Sequence, residues 1–254
     1  MEIVKDTLAE AHEAAVRELL MAPEIDIETS PGKWEKTWEL PETLMIIVNH
    51  PLKEKMISDA VRFPRQGLDS YKDTFTTITP HRADGNHATY TYGNRGCDYP
   101  LRKALTTGRV VQGIPEFEAK WVGNGDGQGF NQFDAIIERL KKSPESRRAI
   151  MITWVPELDS FHHEPPCCQN MHFLIRNNRV HGKFLFRSRD GLSAAGENMV
   201  AEAFFLEKVT NRLNEECNTQ YEVGTLTDIS NSFHMYWKRD DQELKEMKKV
   251  LRVA

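Results

Sequence analysis

The sequence predicts an α/β chain organised around one large sheet, and three observations carry that prediction. Short apolar runs at 44–48 (LMIIV) and 149–155 (AIMITWV) have the composition of buried strands. Two further runs, Met171 to Arg176 and Val180 to Phe186, flank Asn177-Asn178, a pair that tolerates the positive φ of a short hairpin turn. Helical stretches lie at 8–20, around 133–140 and at 198–213, so strands and helices are interleaved along the chain.

In chain order, Asp6 is a candidate N-cap for a helix over Leu8 to Leu20, a stretch rich in Ala, Glu and Leu. From there to about Pro41, the Pro, Gly and Lys content predicts a loop. Asn49-His50-Pro51 ends the strand at 44–48, and Lys53 to Tyr71 gives a mixed signal. His87 to Tyr92 (HATYTY) is rich in β-formers and predicts a strand running into a turn at Gly93-Asn94-Arg95-Gly96. Gly123 to Gly129 (GNGDGQG) lacks the Lys-Ser/Thr ending of a phosphate loop and the acidic spacing of a calcium loop, so it reads as a surface loop. Phe133, Ile136, Ile137 and Leu140 share one helical face, with Asn131 as cap and Ser143-Pro144 as the stop. In the helix from Asn198 to Leu213, Val200, Ala203, Phe204 and Leu213 point inward; a last strand covers Tyr221 to Ile229, and Asp240 to Val250 forms a charged, solvated helix.

A chain of 254 residues can bury a core as one large domain or two small ones. Its net charge of -5 argues against a general nucleic-acid binder, so an anionic ligand has to be met by local arginines. No apolar run reaches the roughly 18 residues of a membrane span, and the acidic start MEIVKDTLAEAHEAA is unlike a signal or transit peptide, which together predict a cytoplasmic protein. The four cysteines are too few and scattered for a disulfide framework, and adjacent Cys167 and Cys168 lack the paired CxxC spacing of a structural zinc site, so no metal is expected.

The chemistry gathers in Glu164 to Asn198. A cysteine pair follows two prolines, a hairpin leads to Arg187-Ser188-Arg189-Asp190, and a helix then starts near Asn198. A thiol, a guanidinium with a hydroxyl, and a side-chain amide thus reach neighbouring strand ends and loops, a set suited to holding a phosphorylated heterocycle against a nucleophile. His172 and His181 read as residues lining a sheet face, and His162-His163 as solvated loop.

Taken together, SRRAIMITW, PPCC, FRSRDGL, Asn198 and FHMY resemble the thymidylate synthases and the related pyrimidine-nucleotide hydroxymethylases. The resemblance spans roughly Tyr90 to Tyr236, and TYGNR at Thr91 to Arg95 looks most like the divergent archaeal-type or phage-type branch. It implies a single thymidylate synthase-like domain over residues 1–254, with one large mixed sheet packed by helices and a sheet face forming a homodimer interface. Position by position, Cys167 matches the nucleophile, and Arg187 and Ser188 match phosphate ligands, Arg187 also helping to activate the thiol. Arg147 and Arg148 match an arginine pair that crosses the homodimer interface to the neighbour's phosphate. Asn198 matches the residue reading the base, His234 and Tyr236 the pair holding the sugar, Asp190 an acidic position near the base, and Tyr92 a tyrosine close to the nucleophile.

The implied carbon donor is 5,10-methylenetetrahydrofolate and the implied substrate a pyrimidine nucleoside monophosphate. Adding a thiolate at carbon 6 turns carbon 5, otherwise a poor nucleophile, into an enolate-like carbon that can attack a one-carbon donor. A thiol of pKa about 8.5 is mostly protonated near neutrality, so a neighbouring cation accelerates the attack. An amide at position 198 can donate to a uracil oxygen and accept from its ring N–H, which favours dUMP; cytosine requires the amide flipped. Methylation to dTMP and hydroxymethylation of dUMP or of dCMP/CMP both stay open, because one positioned water decides between them. A reading of another class, an idle nucleotide- or RNA-binding regulator, is motivated by departures on the folate side: Cys168 replaces the usual histidine, and Ser193 to Glu197 replaces Leu-Gly-x-Pro-Phe. Asp73 is a candidate for the family's catalytic carboxylate.

Overall fold

The computed structural model describes residues 1–58, 68–80, 90–112, 114–162, 164–236 and positions 242, 245, 248, 249 and 251. Six strands form a mixed sheet: β1 (Glu2–Lys5), β4 (Leu44–Val48), β11 (Glu222–Ser230), β9 (Arg179–Phe186), β8 (Cys168–Arg176) and β7 (Ala149–Ile152), in that spatial order. β1 and β4 run parallel, as do β11 and β9, while the other neighbours are antiparallel. A second sheet has the order β10 (Arg189–Asp190), β12 (Phe233–Tyr236), β3 (Lys33–Glu39) and β2 (Glu24–Ser30); β5 (Leu101–Val111) and β6 (Ile114–Val122) make a separate antiparallel ribbon. This is the predicted mixed α/β architecture with a large sheet packed by helices.

Alternation along the strands sends one set of side chains to the core. Leu44, Ile46, Val48, Met151, Met171, Phe173, Phe184 and Leu226 are buried beneath α1 (Leu8–Leu19), α3 (Gln132–Lys142) and α5 (Ala195–Cys217). The rings of Phe75, Tyr92 and Phe205 form a stack with centroids 5.2 and 5.3 Å apart, and Phe173 meets Phe205 edge-on. Burying each such phenylalanine stabilises the fold by about 1.5–3 kcal/mol. The opposite sheet face carries Ile150 and Ile152, 47% and 43% exposed, with Met45, Ile47, Leu174 and Leu185 partly so. Among the described residues no helix is long and apolar enough to cross a membrane.

Several expectations need correction. The α1 cap is Thr7, not Asp6: Thr7 Oγ1 accepts from Glu10 N–H while the Glu10 carboxylate accepts from Thr7 N–H, a reciprocal capping box. The segment read as a loop before Pro41 holds the β2–β3 hairpin, its turn made by Pro31 and Gly32, whose φ of 77° suits glycine. Residues 87–89 of the HATYTY stretch lie outside the described residues, and its end is helical: α2 (Tyr92–Cys97) starts on Thr91, whose hydroxyl accepts from Asn94 N–H. Glycine is required at position 93 because its backbone lies against Thr77; a Cβ there would sit 2.0 Å from the Thr77 carbonyl oxygen. In α5, Phe205 rather than Phe204 is the fully buried ring. The charged helix at 240–250 lies largely outside the described residues. The hairpin turn is as expected, with φ of 51° at Asn177 and 60° at Asn178.

Candidate active site

Cys167 ends the approach to β8 and Arg187 leaves β9. Because β8 and β9 are antiparallel with Cys168 opposite Phe186, these two residues lie side by side, and Arg187 N–H donates to Cys167 O at 2.8 Å. The guanidinium turns back on the loop: Nε donates to Pro166 O at 3.0 Å, Nη2 to Pro165 O at 2.8 Å, and Nη2 lies 3.8 Å from Cys167 Sγ. The Pro-Pro lead-in therefore has a local purpose, since two adjacent carbonyls present acceptors that hold the cation beside a partly exposed thiol. Ser188 follows, partly exposed, and β10 pairs with β12 so that Asp190 lies beside His234. Asn198, partly exposed, is in the first turns of α5.

Cys168 differs sharply from its neighbour. It is fully buried in the core cluster, and desolvation pushes its pKa well above the ordinary thiol value, which disfavours the nucleophilic form. Thr153 Oγ1 donates to its carbonyl, and its N–H donates to the Tyr92 hydroxyl at 3.0 Å. The N–H of Cys167 donates to Tyr90 Oη at 3.4 Å, so two phenol oxygens receive two consecutive amides. Burial, and then the nearby Cys167 sulfur, raise the Tyr90 pKa to about 12; burial also pushes the Tyr92 phenol well above its ordinary value.

Behind the tyrosines stands a buried ion pair. Arg95 Nη1 and Nη2 bond Asp159 at 3.0 and 2.8 Å, Nη1 also donates to Thr153 O at 3.1 Å, and the guanidinium lies 5.8 Å from the Tyr90 ring centroid. Gln132 Nε2 donates to Arg95 O and Ile152 O at 2.8 and 2.7 Å, fastening α3, α2 and β7 together.

The remaining expected site residues fall in three places. His234 is buried, with its Nδ1 3.3 Å from Ser232 Oγ, and meets Tyr236 edge-on at 5.3 Å. Asp190 Oδ1 accepts from Leu192 N–H and Ser193 N–H at 3.2 and 2.9 Å, which fixes its carboxyl at the turn into α5. Arg147 and Arg148 are exposed and precede β7, whose Ala149 sits opposite Phe173; Arg148 is thus level with Leu174, seven residues and about 23 Å along β8 from the same chain's Cys167. Asp73 pairs with Lys208, ten residues and about 15 Å along α5 from Asn198, on the exposed side of that helix. His172 and His181 line the outer sheet face, their pKa lowered by desolvation. Among the described residues no three metal-ligating side chains converge.

The family model described as thymidylate synthase matches residues 85–253. This chain belongs to the thymidylate synthase family. A Methanosarcina barkeri protein assigned provisionally to thymidylate synthases is 32% identical over 65% of this chain and 69% of its own length. A Methanocaldococcus jannaschii protein with the same provisional assignment is 26% identical over 96% of this chain and 94% of its own length. The thymidylate synthase of Staphylococcus haemolyticus is 32% identical over 46% of this chain and 34% of its own length.

Sequence reasoning missed several residues of this thymidylate synthase family member. The variable position of its RS-x-D run is Arg189, 2% exposed, with Nη1 at 2.9 Å from Glu202 and 2.8 Å from Asp228 and its guanidinium 3.8 Å over the Phe186 ring. His12 of α1 reaches the same turn, donating from Nε2 to Gly191 O at 2.7 Å. Tyr90, Arg95 and Asp159 were also passed over. The only local signals were the charge of Arg189 and the Tyr-x-Tyr spacing, neither of which names a partner.

Proposed function

We propose that this chain transfers a one-carbon unit to carbon 5 of a pyrimidine nucleoside 5′-monophosphate, namely dUMP, giving dTMP, and that it works as one domain in a homodimer. The observation carrying this reading is the partly exposed Cys167 sulfur 3.8 Å from the Arg187 guanidinium, at strand ends that also bring Asp190 beside His234. The cation favours the thiolate that adds to carbon 6. Ser188 and Arg187, whose Nη1 is not engaged by the proline carbonyls, take the phosphate, while Asn198 reads the base edge and His234 with Tyr236 holds the sugar.

The separation of about 23 Å supports phosphate binding by Arg147 and Arg148 of the partner subunit, since these side chains cannot span it within one chain. The half-exposed apolar sheet face, with Ile150 and Ile152 at its edge strand, suits the symmetric contact such sharing requires.

The family's carbon donor is 5,10-methylenetetrahydrofolate, which supplies a one-carbon unit at the formaldehyde level. Asp190, its carboxyl oriented by the N–H groups of Leu192 and Ser193, is the acidic group near the base beside His234, and the turn at Ser193 to Glu197 that follows it would hold the donor. The test is incubation with 5-fluoro-dUMP and methylenetetrahydrofolate, followed by mass spectrometry of the intact protein and the Cys167 peptide. A covalent adduct on Cys167 is expected, and its absence overturns the reading. With dUMP, a methyl product is expected; a hydroxymethyl product alone replaces methylation by hydroxymethylation.

A further inference from the structure

Gly191, at the turn between β10 and α5, is clamped at both of its polar atoms. Its N–H donates to His234 O at 2.7 Å, and its carbonyl oxygen lies 2.7 Å from His12 Nε2. A carbonyl only accepts, so the imidazole carries its hydrogen on Nε2; burial lowers the His12 pKa and keeps the ring neutral. Nδ1 is buried without a partner among the described residues, and the side chain is 2% exposed. The rest of that face of α1 is apolar, with Leu8, Ala11, Ala15, Val16 and Leu19 buried. A polar ring among them is costly to bury and makes one bond, the one to Gly191.

What that bond does follows from peptide planarity. The Gly191 carbonyl and the Leu192 N–H belong to one rigid trans peptide and point to opposite sides of it. Holding the oxygen on α1 therefore aims the Leu192 N–H, which donates to Asp190 Oδ1 at 3.2 Å beside the Ser193 N–H at 2.9 Å. The preceding peptide is fixed by His234 O, and a Cβ at Gly191 would sit 2.6 Å from the Phe233 ring and 2.8 Å from Leu19, so the turn is pressed between β12 and α1. We propose that His12 is a positioning residue for the reaction: by holding the Gly191 carbonyl it sets the direction of the Leu192 N–H, and through it the orientation of the Asp190 carboxyl. This rests on Asp190 acting near the base in the proposed reaction. His12 precedes the matched residues 85–253, so the clamp joins the N-terminal helix to the site-bearing part of the chain.

The experiment compares His12→Gln with His12→Asn in the full chain. The Gln amide reaches as far as Nε2 and can donate to Gly191 O, whereas the Asn amide reaches only as far as Nδ1. The rate of 5-fluoro-dUMP adduct formation with methylenetetrahydrofolate is followed by quenched mass spectrometry, and nucleotide affinity by equilibrium dialysis, which also counts folded sites. Gln should stay within about threefold of native, while Asn should slow the adduct at saturating nucleotide about tenfold or more with affinity within about threefold, because only the base end is misplaced. Equal rates in the two variants, or a loss of affinity matching the loss of rate, overturns the proposal. His12→Leu, which suits the apolar face, replaces Asn if that variant folds poorly and carries the same expectation. Hydrogen exchange of the 190–194 amides without ligand gives a reading independent of turnover: Asn should speed exchange at Leu192 and Ser193 about tenfold, and Gln should not. Unchanged protection in Asn overturns the proposal even where rates differ. If the native chain forms no adduct, the proposed reaction falls, and the exchange comparison alone decides whether His12 holds the turn.

Discussion

Two cysteine–arginine pairs, with adjacent cysteines and arginines two residues apart, occupy opposite sides of the same strand ends. Cys167 and Arg187 face outward: the thiol is partly exposed, and the cation is held by proline carbonyls that carry no full charge. Cys168 and Arg189 face inward: the thiol is fully buried, and the cation is met by two carboxylates, Glu202 and Asp228. The same two residue types thus give an available positive field on one side and a neutralised one on the other. A guanidinium activates a thiol only where its charge is not already spent on a buried acid.

The sharpest way to break this comparison is to exchange the thiols. Cys167→Ser should lower fluoro-dUMP adduct formation by about a thousandfold or more, while nucleotide binding by equilibrium dialysis stays largely intact. Cys168→Ala should leave adduct formation within about threefold of native, since its sulfur is buried in the core and donates only to Asn170 O at 3.7 Å; a comparable loss in both variants would erase the distinction.

The arginines should separate by the property they change. Arg189→Met leaves two buried carboxylates without a cation, and urea denaturation should show a loss of about 3–5 kcal/mol. Arg187→Lys should cost within about 1 kcal/mol of stability but slow adduct formation, because an ammonium cannot hold both proline carbonyls and still face the thiol.

A smaller effect tests the proposed sharing between subunits. Arg147→Ala and Arg148→Ala together should raise the KM for the nucleotide about tenfold or more, with little change in melting temperature. Mixing this variant equally with Cys167→Ser, after dissociation and reassociation, should recover about one quarter of native activity, because half the dimers are mixed and each has one complete site. No recovery would place the arginines in the same chain's site.

The smallest effect is a pH slope. Burial raises the folded-state pKa of Glu202 to about 8, and that of Asp228 in the same direction. A carboxyl raised on folding binds its proton more tightly in the native state, so its contribution is complete below the unfolded value near 4.5 and is lost as pH rises towards about 8. The urea stability should therefore decline over that interval, by at most about 1.4 kcal/mol per pH unit for one group, and Glu202→Gln should flatten the decline. An unchanged slope would mean that Arg189 keeps Glu202 ionised.

The sequence by itself determined the features that depend on neighbours along the chain. Apolar and β-forming runs predicted β4, β8, β9 and β11, the Asn177-Asn178 pair predicted a turn needing positive φ, and the order of Cys167, Arg187, Ser188 and Asn198 predicted their residue types at strand ends and at the start of a helix. Even some errors had a local remedy: Thr7 with Glu10 spells a capping box, and Pro31-Gly32 between EIDIE and KWEKTWE marks a hairpin. Only the tertiary structure decided which arginine is available. Arg189 is neutralised by Glu202 and Asp228, and Arg95 by Asp159 across 64 positions. A charge reads the same in sequence whether it faces water or a buried acid, and that difference depends on long-range packing that no local pattern encodes.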